Sequence, residues 1–166
     1  MALLGGAYAL PASAAIKTTG FAAEVVRLVN MERAKAGLPA LRAGGFLLNA
    51  AALVRAKEYA ANPSLLHKRP GGKEFSTVLD DHCIFWTACG ENLARGQTTP
   101  AQVVADWMNS PGHRKNILHD FEKLGVAVYE SDGRLHWAQL FVRNDASFFA
   151  HLWNAFTGFF IRMFSV

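Results

Sequence analysis

Strict alternation along this chain is confined to one stretch, residues 124–142, and that stretch sets the class of fold. Leu124, Val126 and Val128 alternate with Gly125, Ala127 and Tyr129. Residues 135–142 then put His136, Ala138 and Leu140 on one face, with Trp137, Gln139 and Phe141 on the other. Between the two runs, Ser131-Asp132-Gly133 is a hairpin turn signal. The clearest periodic runs before it have helical spacing. Residues 21–36 carry an apolar stripe of Val25, Leu28 and Val29, closed by Gly37 and Pro39. Residues 45–61 place Leu48, Ala52, Ala56 and Tyr59 on one face and stop at Asn62-Pro63. At Thr99 a third helix opens, with Pro100 at its first position and Gln102 completing a capping box. Val103, Val104, Trp107 and Met108 form its buried face, and Ser110-Pro111 repeats the cap-then-proline signal before a short turn over 110–118. Ile84-Phe85-Trp86 also reads as strand. Helices followed by one antiparallel hairpin, without an internal repeat, predict a single α+β domain with helices packed on a small sheet.

Composition narrows what such a domain does. Of its 166 residues 51% are apolar and 18% charged, which excludes a disordered chain. The net charge of +4 comes without a dense Lys/Arg run, which argues against a nucleic-acid partner. Residues 1–16 hold no charged side chain, and Ala12-Ser13-Ala14 has the form of a signal-peptidase site, so a signal-peptide remnant and export are expected. A basic start is missing, so an Ala-rich leader or a segment packed on the domain stays open. Export would permit a disulfide between Cys83 and Cys89, but an extended 84–88 would hold them too far apart; both states stay open. Residues 145–166 are read as an amphipathic aromatic helix, with Phe148, Phe149, Trp153, Phe156 and Phe160 at helical spacing. It would lie at a membrane interface, or pack on the domain or in a dimer.

Several motifs now converge. The segment VNMERAKAGLPAL from Val29, the run His67-Lys68-Arg69-Pro70-Gly71-Gly72, and Gly90-Glu91-Asn92-Leu93-Ala94 occur in order. They are followed by the twelve-residue block from Trp107 to Leu118 (WMNSPGHRKNIL) and by His136-Trp137-Ala138-Gln139-Leu140-Phe141. Over residues 17–144 this series resembles bacterial members of the CAP superfamily, the cysteine-rich secretory, antigen-five and pathogenesis-related proteins. The resemblance implies a three-layer α-β-α sandwich with a His/Glu cluster in a central cleft. By it His67 matches the first histidine, Glu91 the glutamate of Gly-Glu-Asn, and His136 the second histidine. Ser110 stands where a second glutamate is usual, and His113 is a substitute candidate. Asn92 is placed beside the cleft, while Trp107, Ser110, Arg114, Asn116 and Gln139 are expected to brace the fold.

Two imidazoles and a carboxylate would suit zinc, with His67 and His136 as ligands, although two protein nitrogens make a weak site. The leading expectation is a secreted or cell-surface binding module that holds a lipid or envelope ligand. A metal-assisted hydrolase with Glu91 as general base, and a protein-interaction or signalling domain, are the alternatives. No Gly-x-Ser-x-Gly elbow or His-Glu-x-x-His helix supports catalysis.

Overall fold

A computed structural model describes residues 20–144. Helix α1 (Phe21–Lys35) is followed by strand β1 (Arg42–Ala43), helix α2 (Gly45–Ala61) and short helix α3 (Thr77–Asp81). Strand β2 (Ala88–Arg95), helices α4 (Pro100–Asn109) and α5 (Pro111–Ile117), and the hairpin β3 (Lys123–Ser131) and β4 (Arg134–Arg143) follow within the described residues. The strands form one sheet in the order β1-β3-β4-β2. It is mixed, not purely antiparallel as expected, because β1 joins β3 in parallel. The strand read at 84–86 is a correction too: the chain turns there, Cys83 has a positive φ, and β2 begins at Ala88. Cys83 and Cys89 are free. The expected leader at 1–16 and the aromatic segment at 145–166 lie outside the described residues.

Alternation along β4 sorts two cores. Ala138, Leu140 and Val142 meet Leu48, Ala51, Ala52 and Ala56 of α2, with Leu93 and Leu79 beside them. Trp137 and Phe141 meet Val25 and Val29 of α1, Val103 and Trp107 of α4, and Ile117 of α5. Burying each of these large apolar side chains contributes about 1.5–3 kcal/mol. Helix starts follow their sequence signals only in part. Thr99 Oγ1 accepts from Gln102 N–H (3.2 Å), while the Gln102 side chain reaches back to Thr98 N–H (3.0 Å). Ser110 makes no side-chain cap bond at α5, so its bracing role is confined to its carbonyl, which accepts from Arg114 N–H (2.8 Å). The Arg114 side chain is exposed, without the brace expected of it among the described residues.

Arg33 reads in sequence as a polar helix position, yet it is buried. Its guanidinium donates to Pro39 O, Ile117 O and His119 O at 2.7–2.8 Å, closing backbone carbonyls where α1 and α5 end. Among the described residues no helix is long and apolar enough to cross a membrane.

Candidate cleft at the edge of strand β2

Strand β2 lies at the edge of the sheet, and its register decides which side chains can meet. Glu91 is opposite Leu140 and so points into the α2 layer; Asn92 is opposite Gln139 and points into the other. On α2 the run of small residues Ala51, Ala52 and Ala56 leaves room for Arg55, whose side chain is 1% exposed. Its Nε donates to Glu91 Oε2 at 2.5 Å and Nη2 to Glu91 Oε1 at 3.2 Å. Nη1 reaches Glu58 Oε2 (2.5 Å), and Nη2 also donates to Leu66 O (3.0 Å). Glu58 in turn accepts from Arg69 Nε (3.0 Å), and Arg69 Nη1 donates to Asp81 Oδ2 (2.7 Å). The loop over 62–76 is thus clamped to α2 and α3 by alternating charges. Burial works to lower the Arg55 pKa, but Glu91 and Glu58 outweigh it and hold the guanidinium above its ordinary value.

That clamp presents His67. Its Nδ1 stands 3.0 Å from Glu91 Oε1, with the glutamate side chain fully buried and the imidazole 54% exposed. A carboxylate ion-paired with Arg55 offers only acceptors, so Nδ1 carries the proton of this hydrogen bond and Nε2 is left unengaged by Glu91. His67 is held from behind and open in front.

On the opposite face, an amide chain pins α5 over the β2 edge. Asn92 Nδ2 donates to Gln139 Oε1 (3.0 Å) and to His113 O (3.2 Å). Asn116 Nδ2 donates to Asn92 Oδ1 and to Glu91 O, both at 2.9 Å. Trp107 Nε1 donates to Leu93 O (3.3 Å), so side chains close the outward carbonyls of an edge strand that would otherwise stay open. Gly90 allows this approach: a Cβ there would stand 3.0 Å from the Phe121 ring and 3.3 Å from Asn116 Oδ1. His113, in the first turn of α5, is half-buried. Burial lowers its pKa, with His67 pushing the same way.

His136 does not join them. It faces the α2 layer, but opposite Arg95, four residues along the strand from the Glu91 position. At about 3.4 Å per residue that is a separation of roughly 13 Å. It is buried edge-on against Tyr59, with ring centroids 6.1 Å apart. The pairing of His67 with His136 expected from the resemblance is therefore corrected: His136 stands on the α2 face, but interstrand register holds it away from Glu91. Among the described residues no group of three or more His, Cys, Asp or Glu side chains could hold a metal ion. Glu91 is already engaged by Arg55, so this donor set does not fit a zinc site.

Burial holds the His136 pKa below its ordinary 6.5, reinforced by Arg95 and Arg134 and opposed by the backbone of Tyr129 and Arg134. Its Nδ1 is buried without a hydrogen-bond partner. Because the folded state resists protonation that the unfolded chain accepts, stability is lost as pH falls below the ordinary value toward the lowered one. Urea unfolding from about pH 7.5 to about pH 5 is expected to show this fall, and His136→Asn to flatten it. A slope unaltered by the substitution would assign the effect elsewhere, with His113 the next candidate.

Arg55, Glu58 and Arg69, which organise the site, were not singled out from sequence. The available signal was a charge at the buried spacing of an otherwise small and apolar helix face.

Comparison with known proteins agrees with this architecture. The family described as CAP, the cysteine-rich secretory protein family, matches residues 26–141. The chain is 36% identical over 131 residues to the uncharacterized protein YkwD of Bacillus subtilis (strain 168), covering 78% of this chain and 50% of that one. It therefore spans about half the length of the curated relative it matches. An extracellular protein containing a SCP domain from Bacillus anthracis str. Ames superposes with a TM-score of 0.73 at 26% identity, over 84% of this chain and 45% of the other. An outer surface protein of Borrelia burgdorferi gives a TM-score of 0.66 at 22% identity, over 73% and 90% of the two chains.

Proposed function

The chain belongs to the cysteine-rich secretory protein (CAP) family, and we propose that it acts as an exported binding module, extracellular or held at the cell surface. The cleft at the β2 edge would take an envelope component or a lipid-derived ligand, and residues 145–166 would make peripheral contact with a membrane. Relatives described as an extracellular SCP-domain protein and an outer surface protein support the location.

The observation that carries the ligand site is the His67–Glu91–Arg55 arrangement. A buried, ion-paired carboxylate holds one nitrogen of an imidazole that is otherwise exposed, and His113, whose carbonyl accepts from Asn92, stands at the same strand edge on the other layer. Two imidazoles set on different layers suit a polar group entering between them. The same geometry argues against Glu91 as general base for a hydrolase, because both its oxygens accept from Arg55.

A His67→Ala/His113→Ala variant tests the site. Binding to purified bacterial cell-wall fragments and to phosphatidylglycerol vesicles is expected to weaken on the order of tenfold or more in at least one of the two, on loss of two polar contacts. Unchanged binding to both would remove the cleft as the ligand site.

A further inference from the structure

Like charges that meet across neighbouring strands are destabilising, yet the hairpin end of the sheet carries such a pair on its α2 face. Arg95 stands opposite His136, and Arg134 lies two residues before His136 on the same strand, hence on the same face. The two arginines are therefore diagonal neighbours, about 7–8 Å apart along the backbone lattice. Both are exposed, and neither side chain has a hydrogen-bond or ion-pair partner among the described residues. A third cation stands beside them. Tyr129 is the other cross-strand neighbour of His136, and the Lys57 Nζ of α2 lies 5.6 Å from the centre of its ring. His136 itself is 5% exposed, with its Nδ1 unpartnered.

The described carboxylates around this end are paired or face elsewhere, with one exception. Glu58 is held by Arg55 and Arg69. Glu130 alternates with Tyr129 and so stands on the α1 face, opposite Leu135, which packs into that layer. Asp106, on α4 in the same α1 layer, accepts from Gln97 Nε2 at 2.8 Å. The exception is Asp132 in the turn, which accepts from the Ser131 hydroxyl at 3.3 Å. Three cations against one turn carboxylate leave this face with an excess of positive charge. The charges that act on the buried His136 imidazole agree, since they are the two arginines with no acid among them.

We propose that Arg95, Arg134 and Lys57 form a binding site for a phosphate group, separate from the cleft at His67. Each guanidinium offers a planar fork of donors that matches two phosphate oxygens, and the lysine adds a compact point charge. Two forks from adjacent strands and an ammonium from the helix above suit a tetrahedral oxyanion, whose oxygens diverge, better than a planar carboxylate. A phosphate held between the arginines also removes the repulsion that the unliganded face carries. The site lies at the far end of β2 from Glu91 and stands whether or not the His67 cleft takes a ligand.

Two probes test it on the full chain at fixed ionic strength: glycerol phosphate in solution, and phosphatidylcholine vesicles with and without phosphatidylglycerol. Titration with glycerol phosphate is expected to move the backbone amide NMR signals of Arg95, Arg134 and His136 together. Arg95→Gln/Arg134→Gln should weaken binding on the order of tenfold or more, because two charge-assisted contacts are lost. The urea midpoint should stay unchanged or rise, since both side chains are exposed and repel each other. Lys73→Gln/Lys115→Gln is the control, removing the same charge from exposed positions elsewhere. If the control weakens binding as much as the arginine variant does, the attraction is general and the site is overturned. Binding of glycerol phosphate supports a phosphate that is free or polymer-borne. Binding to the anionic vesicles alone, lost in the arginine variant, supports a lipid headgroup. Wild type that binds neither probe, or an arginine variant that binds like wild type, overturns the proposal. The cleft is judged separately, by the His67/His113 variant on cell-wall fragments.

Discussion

Replacing Arg55 by leucine is expected to cost about 3–5 kcal/mol of folding stability, as removal of one partner from a buried ion pair does. The guanidinium satisfies Glu91, Glu58 and Leu66 O together, and Glu91 has no exposure through which water could take its place. Urea unfolding at neutral pH measures the loss. The informative comparison is a double substitution, Arg55→Leu/Glu91→Leu, which removes the stranded charge as well. It should recover much of the deficit, since a buried pair is worth little against apolar packing while a buried lone charge is costly. The double variant should still fail in ligand binding, because His67 would have lost the acceptor at its Nδ1. Equal instability of single and double variants would mean that the glutamate is not the group left uncompensated.

Gly125→Ala should destabilise by about 3 kcal/mol, the upper range for forced overpacking. A Cβ at this position would lie 2.5 Å from Leu48 Cγ and 2.7 Å from the backbone oxygen of Leu48. The side chain could rotate away, but the carbonyl belongs to α2, so the whole helix must lift from β3. The measurable outcome is a fall in the urea midpoint with little change in slope. Because α2 carries Arg55, the same shift should loosen the clamp on Glu91 and weaken cleft binding in parallel. A variant as stable as wild type would show that α2 and β3 are not held at this distance in solution.

The two effects meet at one helix. Gly125 sets how closely α2 lies on the sheet, and Arg55 uses that closeness to reach Glu91 from a position that local sequence marks only as charged. His67 is then oriented by a residue twelve positions earlier and another on a separate strand. None of these partners is close in sequence except Arg55 and Glu58.

Local rules accounted for a good deal. Residues 21–36 and 45–61 form helices within a residue or two of the expected spans, Gly37 has the positive φ of a C′ residue, and Thr99 caps. The hairpin forms where Ser131-Asp132-Gly133 predicted it, with His136, Ala138 and Leu140 on a common face. Where local rules failed, a non-local term had won. β1 is two residues long and is a strand only because Leu124 O and Glu122 O accept from Gly44 and Arg42 N–H at 2.8 Å. The 84–86 run has strand-like residues, yet the following segment pairs with β4 instead.

By itself, then, the amino-acid sequence determined the helices and hairpin, the α+β class, the family, and the face on which each strand residue stands. Those depend on backbone sterics, caps and the period of apolar residues, all of which act within a few positions along the chain. Tertiary structure alone decided that His113 and not His136 shares the edge of β2 with His67, and that Arg55 lies buried behind them. Such outcomes depend on interstrand register and on how closely a helix can approach a sheet, and both are settled only when distant segments compete for the same hydrogen bonds and the same space.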